Sequence, residues 1–244
     1  MCRHLLYLGP AITLSDLLTQ PPHSLLRQSW APRDMRGSGT INADGFGVGW
    51  YHEERIVQYR QPRPMWSDEG FLSLAPVTSS QAVLAAVRSA TIGMTFGEAA
   101  CAPFTSDGWL FSHNGIVAGW PHSVAKLAER LPVTDLLTLD APTDSALLWA
   151  LLRRRLRAGD PPGQALAATV TEVAAVAPGS RLNLLLTNGI VGYATTLGHS
   201  LSVRSGGGSV VVSSEPFDDH ADWTPVPDGT LLTADRAGHS WEEL

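Results

Sequence analysis

Met1-Cys2-Arg3-His4-Leu5-Leu6-Tyr7-Leu8 opens the chain. Cys2 to Leu8 reads as a short strand, stopped by Gly9-Pro10. Cys2 is one of two cysteines, the other being Cys101. Removal of the initiator methionine makes Cys2 the N-terminus, so that one residue carries a thiol and a free α-amine. An unperturbed α-amine titrates near ~8 and a thiol near ~8.5, so at neutral pH the amine is partly unprotonated and can take the thiol proton. The pair is a nucleophile with its own base, the variant of triad logic in which an amine replaces the histidine. Taken alone, the dipeptide favours a plainer alternative, an incidental small residue near a terminus. A lipidated cysteine is disfavoured, because no apolar run precedes Cys2.

Working outward, 244 residues allow one large domain or two small ones with a substantial core. Hydrophobic residues make up 44% and charged residues 16%, as in ordinary globular chains. The net charge of −6, with Arg153-Arg154-Arg155 the one run of a single sign, disfavours a nucleic-acid partner. The single lysine, Lys126, lies in Ala-Lys-Leu, so there is no Walker-type phosphate loop. No signal peptide and no apolar run of ~18 residues is visible, so neither secretion nor a membrane span is expected. Two cysteines almost a hundred positions apart are no disulfide framework, and a cytoplasmic chain with reduced thiols is expected. Eight tryptophans are many for this length. They serve mostly as core or interface filler, with an aromatic wall for a cationic ligand as the sharper alternative.

Along the chain, Ser15 to Gln20 forms a brief helix before Pro21-Pro22, and a loop with Trp30, Pro32 and Gly37 follows. In Asn42-Ala43-Asp44-Gly45-Phe46-Gly47-Val48-Gly49-Trp50-Tyr51, alternating glycines predict a strand whose bare face admits another backbone or a ligand. Ile56 to Arg60 pairs with it as a hairpin, and Pro62 to Pro76 is irregular. Val83 to Ala90 reads as a strand with Arg88 near its end, exposed or paired with an anion. Thr91 to Thr105 is loop. Trp109 to Val117 reads as a strand broken at His113-Asn114-Gly115, where Asn-Gly favours a turn. Helices are predicted over Ser123 to Leu131, Thr143 to Arg157 and Pro162 to Val176. Leu182 to Thr187, Ile190 to Thr195, Leu201 to Arg204, Ser209 to Ser213 and Thr230 to Thr233 read as strands, with Gly206-Gly207-Gly208 as a hairpin turn. No repeat or long linker divides the chain. Strands, then helices, then strands fit an α+β layered fold of two facing sheets covered by helices.

Several of these residues suit the hydrolysis of a γ-glutamyl amide, which needs a nucleophile, oxyanion donors and anchors for an α-carboxylate and an α-ammonium. Cys2 is the candidate nucleophile. Asn114 offers a side-chain amide and Gly115 an unobstructed N–H for the oxyanion. Arg88 can hold a carboxylate in bidentate fashion. Asp144 can accept from an ammonium, or serve simply as a first-turn acid of its helix. His4 and His113 show no paired spacing that would make a metal site. Cys101 reads as a packed free thiol, since it cannot acquire an α-amine.

Five stretches together carry a resemblance: Met1-Cys2, Asn42-Ala43-Asp44-Gly45-Phe46-Gly47, Arg88-Ser89-Ala90-Thr91, His113-Asn114-Gly115 and Thr143-Asp144-Ser145. In order and spacing they resemble a class II glutamine amidotransferase domain of the N-terminal-nucleophile hydrolase superfamily. The resemblance implies a four-layer αββα sandwich spanning 2–244 as a single domain, with Met1 removed and no metal or organic cofactor. It assigns Cys2 as nucleophile, Asn114 and Gly115 to the oxyanion, Arg88 with Thr91 to the α-carboxylate and Asp144 to the α-ammonium. It leaves Asp44 without a role. Ile92 stands where some relatives carry His. Gln28-Ser29-Trp30-Ala31-Pro32-Arg33, Val83 to Gly93 and Ser214-Glu215-Pro216-Phe217-Asp218-Asp219 resemble the branch acting on γ-glutamyl-hercynylcysteine S-oxide in ergothioneine synthesis. That substrate carries a trimethylammonium group, for which the loop tryptophans Trp30 and Trp66 are candidates. No acceptor domain follows residue 244, so the expectation is release of free products from a small-molecule γ-glutamyl substrate without an obligatory protein partner. A glutaminase subunit supplying ammonia to a separate synthase is the alternative, and a non-catalytic binding module of the same fold a third.

Overall fold

The computed structural model describes residues 2–36, 41–91 and 93–244. In chain order its strands and helices are β1 (Arg3–Thr13), α1 (Leu14–Leu18), α2 (Leu25–Gln28), β2 (Phe46–His52), β3 (Arg55–Gln61), α3 (Glu69–Leu74), β4 (Ser79–Val87), β5 (Phe104–Ser106), β6 (Trp109–Ile116), α4 (Ala125–Ala128), α5 (Val133–Leu137), α6 (Asp144–Arg157) and α7 (Pro162–Val176), followed by β7 (Arg181–Thr187), β8 (Gly192–Thr196), β9 (Ser202–Gly206), β10 (Ser209–Ser213), β11 (Thr224–Pro225), β12 (Thr230–Asp235) and β13 (Gly238–Glu243). They form two antiparallel sheets, ordered β11-β9-β10-β1-β4-β2-β3 and β13-β12-β8-β7-β6-β5.

Three separate apolar clusters show that the layers number four. Leu5, Val83 and Ala85 pack with Leu14, Leu17, Leu25 and Phe71, between the first sheet and α1 to α3. Their chain neighbours Leu6 and Leu84 pack with Leu110, Leu185 and Leu232, between the two sheets. Leu184 and Leu186 turn the other way, onto Trp149, Leu152 and Leu166 of α6 and α7. Successive strand residues point to opposite faces, so a strand covered on both sides must be apolar at every position. That explains the unbroken runs at Leu5-Leu6-Tyr7-Leu8 and Leu184-Leu185-Leu186. The fold is therefore α+β with two antiparallel sheets between helical layers. Thr143 caps α6 by accepting the Ala146 N–H at 3.2 Å, and Pro162 begins α7 as the sequence predicts.

Four local expectations change. Strand β1 does not stop at Gly9-Pro10: it continues to Thr13, with a register shift against β4 between Leu8 and Ile12. Its pairing with β10 ends at Leu8, so the missing N–H of Pro10 removes no bond from that ladder. Strand β6 is not broken at His113-Asn114-Gly115. These residues pair with Leu184, Asn183 and Leu182 of β7. A Cβ on Gly115 would lie 1.8 Å from the Arg181 carbonyl oxygen, so the glycine permits close strand approach rather than a turn. The stretch 62–76 contains a 3-10 turn at Met65–Ser67 and α3, capped by Asp68, whose carboxylate accepts the Phe71 N–H at 2.8 Å. Finally, β13 pairs with β12 as a terminal hairpin that its exposed, polar sequence concealed.

Antiparallel pairing gathers the start of β1, the end of β4 and the start of β2, since Val87 lies opposite both Arg3 and Phe46. Cys2, Arg88 and Asp44 thereby meet at one end of the sandwich.

Candidate active site

Cys2 sits half-buried just before β1. Its Sγ lies 3.5 Å from the Ser89 backbone N–H donor and 3.6 Å from the Ser89 carbonyl oxygen. The segment holding Ser89 is fastened to the approach of β2. Arg88 N–H donates to the Gly45 carbonyl at 2.7 Å, and Asp44 N–H donates to the Arg88 carbonyl at 3.0 Å. The Asp44 carboxylate then accepts the Ala90 N–H at 2.7 Å. Asp44, which had no role in the sequence, thus shapes the 88–91 segment. The Arg88 guanidinium donates to the Thr95 carbonyl at 2.9 Å and approaches the Asp44 carbonyl at 3.5 Å. Ile92 lies outside the described residues, as do Met1 and Gly37.

Cys2, Arg88, Thr91, Gly115 and Asp144 line a single cleft, together with Ser89, His113 and Ser145. Asp144, the first residue of α6, is buried, and its carboxylate accepts the N–H groups of Val117 at 3.0 Å and Ser145 at 2.8 Å. It therefore acts as a first-turn acid and still presents its negative charge to the cleft; each oxygen has a further lone pair for an incoming donor. Asn114 is adjacent but not among the lining residues. Its amide, fully buried, lies on the face of β6 toward the other sheet and donates to Ser214 Oγ at 3.2 Å.

His113 joins the two halves of this wall. Its Nε2 lies 3.0 Å from the Arg181 carbonyl and its Nδ1 3.0 Å from Ser145 Oγ. A carbonyl only accepts, so the network places a proton on Nε2. The strand carrying Gly115 is thereby tied to the helix carrying Asp144. In the sequence His113 shows no metal-site spacing, and like Ser89 and Ser145 it lies inside the quoted motifs without a function.

A comparison with protein-family models matches residues 18–205 to the class-II glutamine amidotransferases. The chain belongs to this family. Among curated relatives, the γ-glutamyl-hercynylcysteine sulfoxide hydrolase of Mycolicibacterium smegmatis is 42% identical over 95% of this chain and 95% of its own. The protein of the same name from Mycobacterium tuberculosis is 39% identical over 98% of this chain and 94% of its own. Among solved structures, a glutamine aminotransferase class-II domain protein from Silicibacter pomeroyi superposes with a TM-score of 0.71 at 25% identity, covering 99% of both chains.

Two stretches singled out within this class-II amidotransferase converge in space. The Glu215 carboxylate, buried, accepts the backbone N–H groups of Arg33 at 3.0 Å and Asp34 at 2.7 Å. Arg3, the residue after Cys2, donates to the Asp34 carbonyl. Trp30 and Trp66 also meet, edge to face with centroids 5.5 Å apart. The Arg27 guanidinium already lies over the Trp30 ring at 5.5 Å, and neither tryptophan is among the described residues lining the cleft with Cys2. Cys101 is fully buried, with its thiol 3.5 Å from the Gln61 and Gly97 carbonyls, and burial pushes it up to about 11. That is the packed free thiol expected. His4, behind the cleft and fully buried, is held well below the usual histidine range by desolvation.

Proposed function

We propose that this chain hydrolyses the γ-glutamyl amide bond of γ-glutamyl-hercynylcysteine S-oxide, giving glutamate and hercynylcysteine S-oxide. One observation carries the reading: Cys2, the second residue of the chain, shares a cleft with an arginine, a buried aspartate and the bare backbone of Gly115. The names of the mycobacterial relatives, which match nearly the whole chain, support the substrate.

With Met1 removed, the Cys2 α-amine takes the thiol proton and the thiolate adds to the γ-carbonyl carbon. The oxyanion is stabilised by the Gly115 N–H and the Asn114 amide. The C–N bond then breaks, and the departing nitrogen takes the proton from the Cys2 ammonium. A γ-glutamyl thioester on Cys2 remains. Water adds to it, the α-amine accepts a proton from that water, and the thiol leaves as glutamate forms. Arg88 with Thr91 holds the glutamyl α-carboxylate, and Asp144 holds the α-ammonium. In this scheme both nucleophile and base come from Cys2, so neither a metal nor an organic cofactor is required. The same reading takes residues 2–244 as a single domain acting in the cytoplasm without an obligatory protein partner. Two free cysteines fit the reduced thiols of that compartment, and among the described residues no helix is long and apolar enough to cross a membrane.

The test is glutamate release from three compounds side by side: γ-glutamyl-hercynylcysteine S-oxide, glutathione and glutamine. The N-terminal residue is verified by mass spectrometry. A strong preference for the hercynyl compound is expected. Preference for glutamine would replace this reading with that of an ammonia-supplying glutaminase.

A further inference from the structure

Ser214 lies one residue beyond β10, fully buried, and 100 positions from Asn114 in the sequence. Its backbone N–H donates to the His4 carbonyl at 3.0 Å, extending the β10–β1 pairing toward the N-terminus. Its hydroxyl accepts the His4 N–H at 3.0 Å and the Asn114 Nδ2–H at 3.2 Å, and donates to the His4 carbonyl at 3.3 Å. A serine hydroxyl has one hydrogen and two lone pairs, so all three of its capacities are filled.

This arrangement dictates how the Asn114 amide is turned. The His4 carbonyl only accepts, so it takes the hydroxyl hydrogen. The Asn114 atom facing Ser214 must then be a donor, which is the NH2 group. Flipping the amide would set two acceptors against each other. Among the described residues Nδ2 makes no second hydrogen bond, and Oδ1 has no partner although it is buried. One N–H is thus held by Ser214 and the other is left uncommitted. His4 is two residues from Cys2, so a single hydroxyl joins the nucleophile's strand to the amide.

We propose that Ser214 is a positioning residue for the oxyanion hole: it orients the Asn114 amide as a donor and sets its distance from the strand bearing Cys2. This rests on the oxyanion role of Asn114 proposed above. Because the geometry matters most when charge develops on the carbonyl oxygen, loss of Ser214 should slow turnover more than it weakens substrate binding.

The experiment compares Ser214→Ala, Asn114→Ala and the double variant in the full chain. For Ser214→Ala, kcat is expected to fall by ~10–100-fold while KM moves by less than about threefold. Affinity for glutamate γ-semialdehyde, which forms a tetrahedral adduct on Cys2, should fall by the same factor as kcat. The rate of Cys2 alkylation by iodoacetamide should stay within about twofold of the parent, since the thiol itself is not the target of the change. The double variant should match Asn114→Ala alone, because the two residues act as one unit. If Ser214→Ala does not accumulate, Ser214→Cys carries the same test, since a thiol keeps the volume but accepts hydrogen bonds poorly. Unchanged kcat in the Ser214 variant beside a slowed Asn114→Ala would overturn the proposal alone. So would additive losses in the double variant, or a parallel fall in alkylation, which would place the effect on the nucleophile's strand. Unchanged kcat in Asn114→Ala would remove the oxyanion reading and this proposal with it.

Discussion

The Asp44 carboxylate accepts the backbone N–H of Ala90 at 2.7 Å. Two residues earlier, Arg88 reaches into the cleft, and one residue earlier the Ser89 N–H meets the Cys2 thiol. A side chain outside the proposed glutamyl-binding set therefore shapes the backbone beside both Cys2, the proposed nucleophile, and Arg88, the proposed carboxylate anchor. Asp44→Ala is expected to raise KM for γ-glutamyl substrates by on the order of tenfold or more, the worth of a charge-assisted hydrogen bond. Asp44→Asn keeps an acceptor for Ala90 and should recover most of the loss. Equal damage from both variants would show that the charge matters directly.

The two cysteines should differ sharply in reactivity. Cys101 is fully buried with its thiol pushed up to about 11, whereas Cys2 is half-buried at the cleft. Iodoacetamide near pH 7.5 is expected to place one adduct per chain, on Cys2, located by peptide mass spectrometry. Cys2→Ala should abolish turnover, retain substrate binding and change stability by less than ~1 kcal/mol, because its thiol makes only long contacts to Ser89. Residual turnover near the parent rate would remove Cys2 as nucleophile.

Substitutions can separate the structural role of Asp144 from the charge role proposed for it. Its two oxygens accept from Val117 and Ser145. Asp144→Asn keeps an acceptor for one of these groups while removing the negative charge. It is expected to raise KM by ~10–100-fold and to lower the thermal midpoint, since one N–H loses its acceptor. Asp144→Ala should lower the midpoint further, since the buried Val117 N–H and the part-buried Ser145 N–H both lose their partner. An unchanged KM in the Asn variant would leave Asp144 as a helix acid only.

Gly115→Ala is expected to destabilise the fold by about 3 kcal/mol, the upper range for overpacking a well-packed site. The added methyl would meet the Arg181 carbonyl at 1.8 Å, which is backbone in a paired strand and cannot swing away. Urea denaturation measures this; a midpoint equal to that of the parent would show that β6 and β7 separate easily.

Acid should unfold the protein through its buried histidines. Burial, aided by Arg3 and Arg181, lowers His199 from 6.5 to about 4. Between those values the unfolded chain binds a proton that the folded chain refuses. Stability is therefore full above pH 6.5 and is lost as pH falls toward 4, by on the order of 3 kcal/mol for this one group. His4 is shifted in the same direction. Urea midpoints measured from pH 7 to pH 4 should fall steadily across this window, and a flat profile there would contradict it.

Much of this protein can be read from local sequence, because local sequence carries periodicity and capping. Apolar residues at helical spacing between Thr143 and Arg157, and Pro162 with the following apolar run, place α6 and α7 to within a residue. Unbroken apolar runs at 5–8 and 184–186 declare strands buried on both faces. The motifs at Cys2, Arg88-Ser89-Ala90-Thr91, Gly115 and Thr143-Asp144-Ser145 name the residues that share the cleft. Their order along the chain points to the family.

Only the tertiary structure decided how those residues are held. Asn114-Gly115 has the local character of a turn, yet pairing with Asn183 and Leu182 of β7 draws it into a strand, since partners distant in sequence override a two-residue preference. Asp44 meets Ala90, and Ser214 meets both Asn114 and His4, through hydrogen bonds spanning 46, 100 and 210 positions. Such contacts follow from strand order and register across two sheets. A hydroxyl or carboxylate finds its partner through that packing, and nothing in its own sequence neighbourhood specifies where the partner will be.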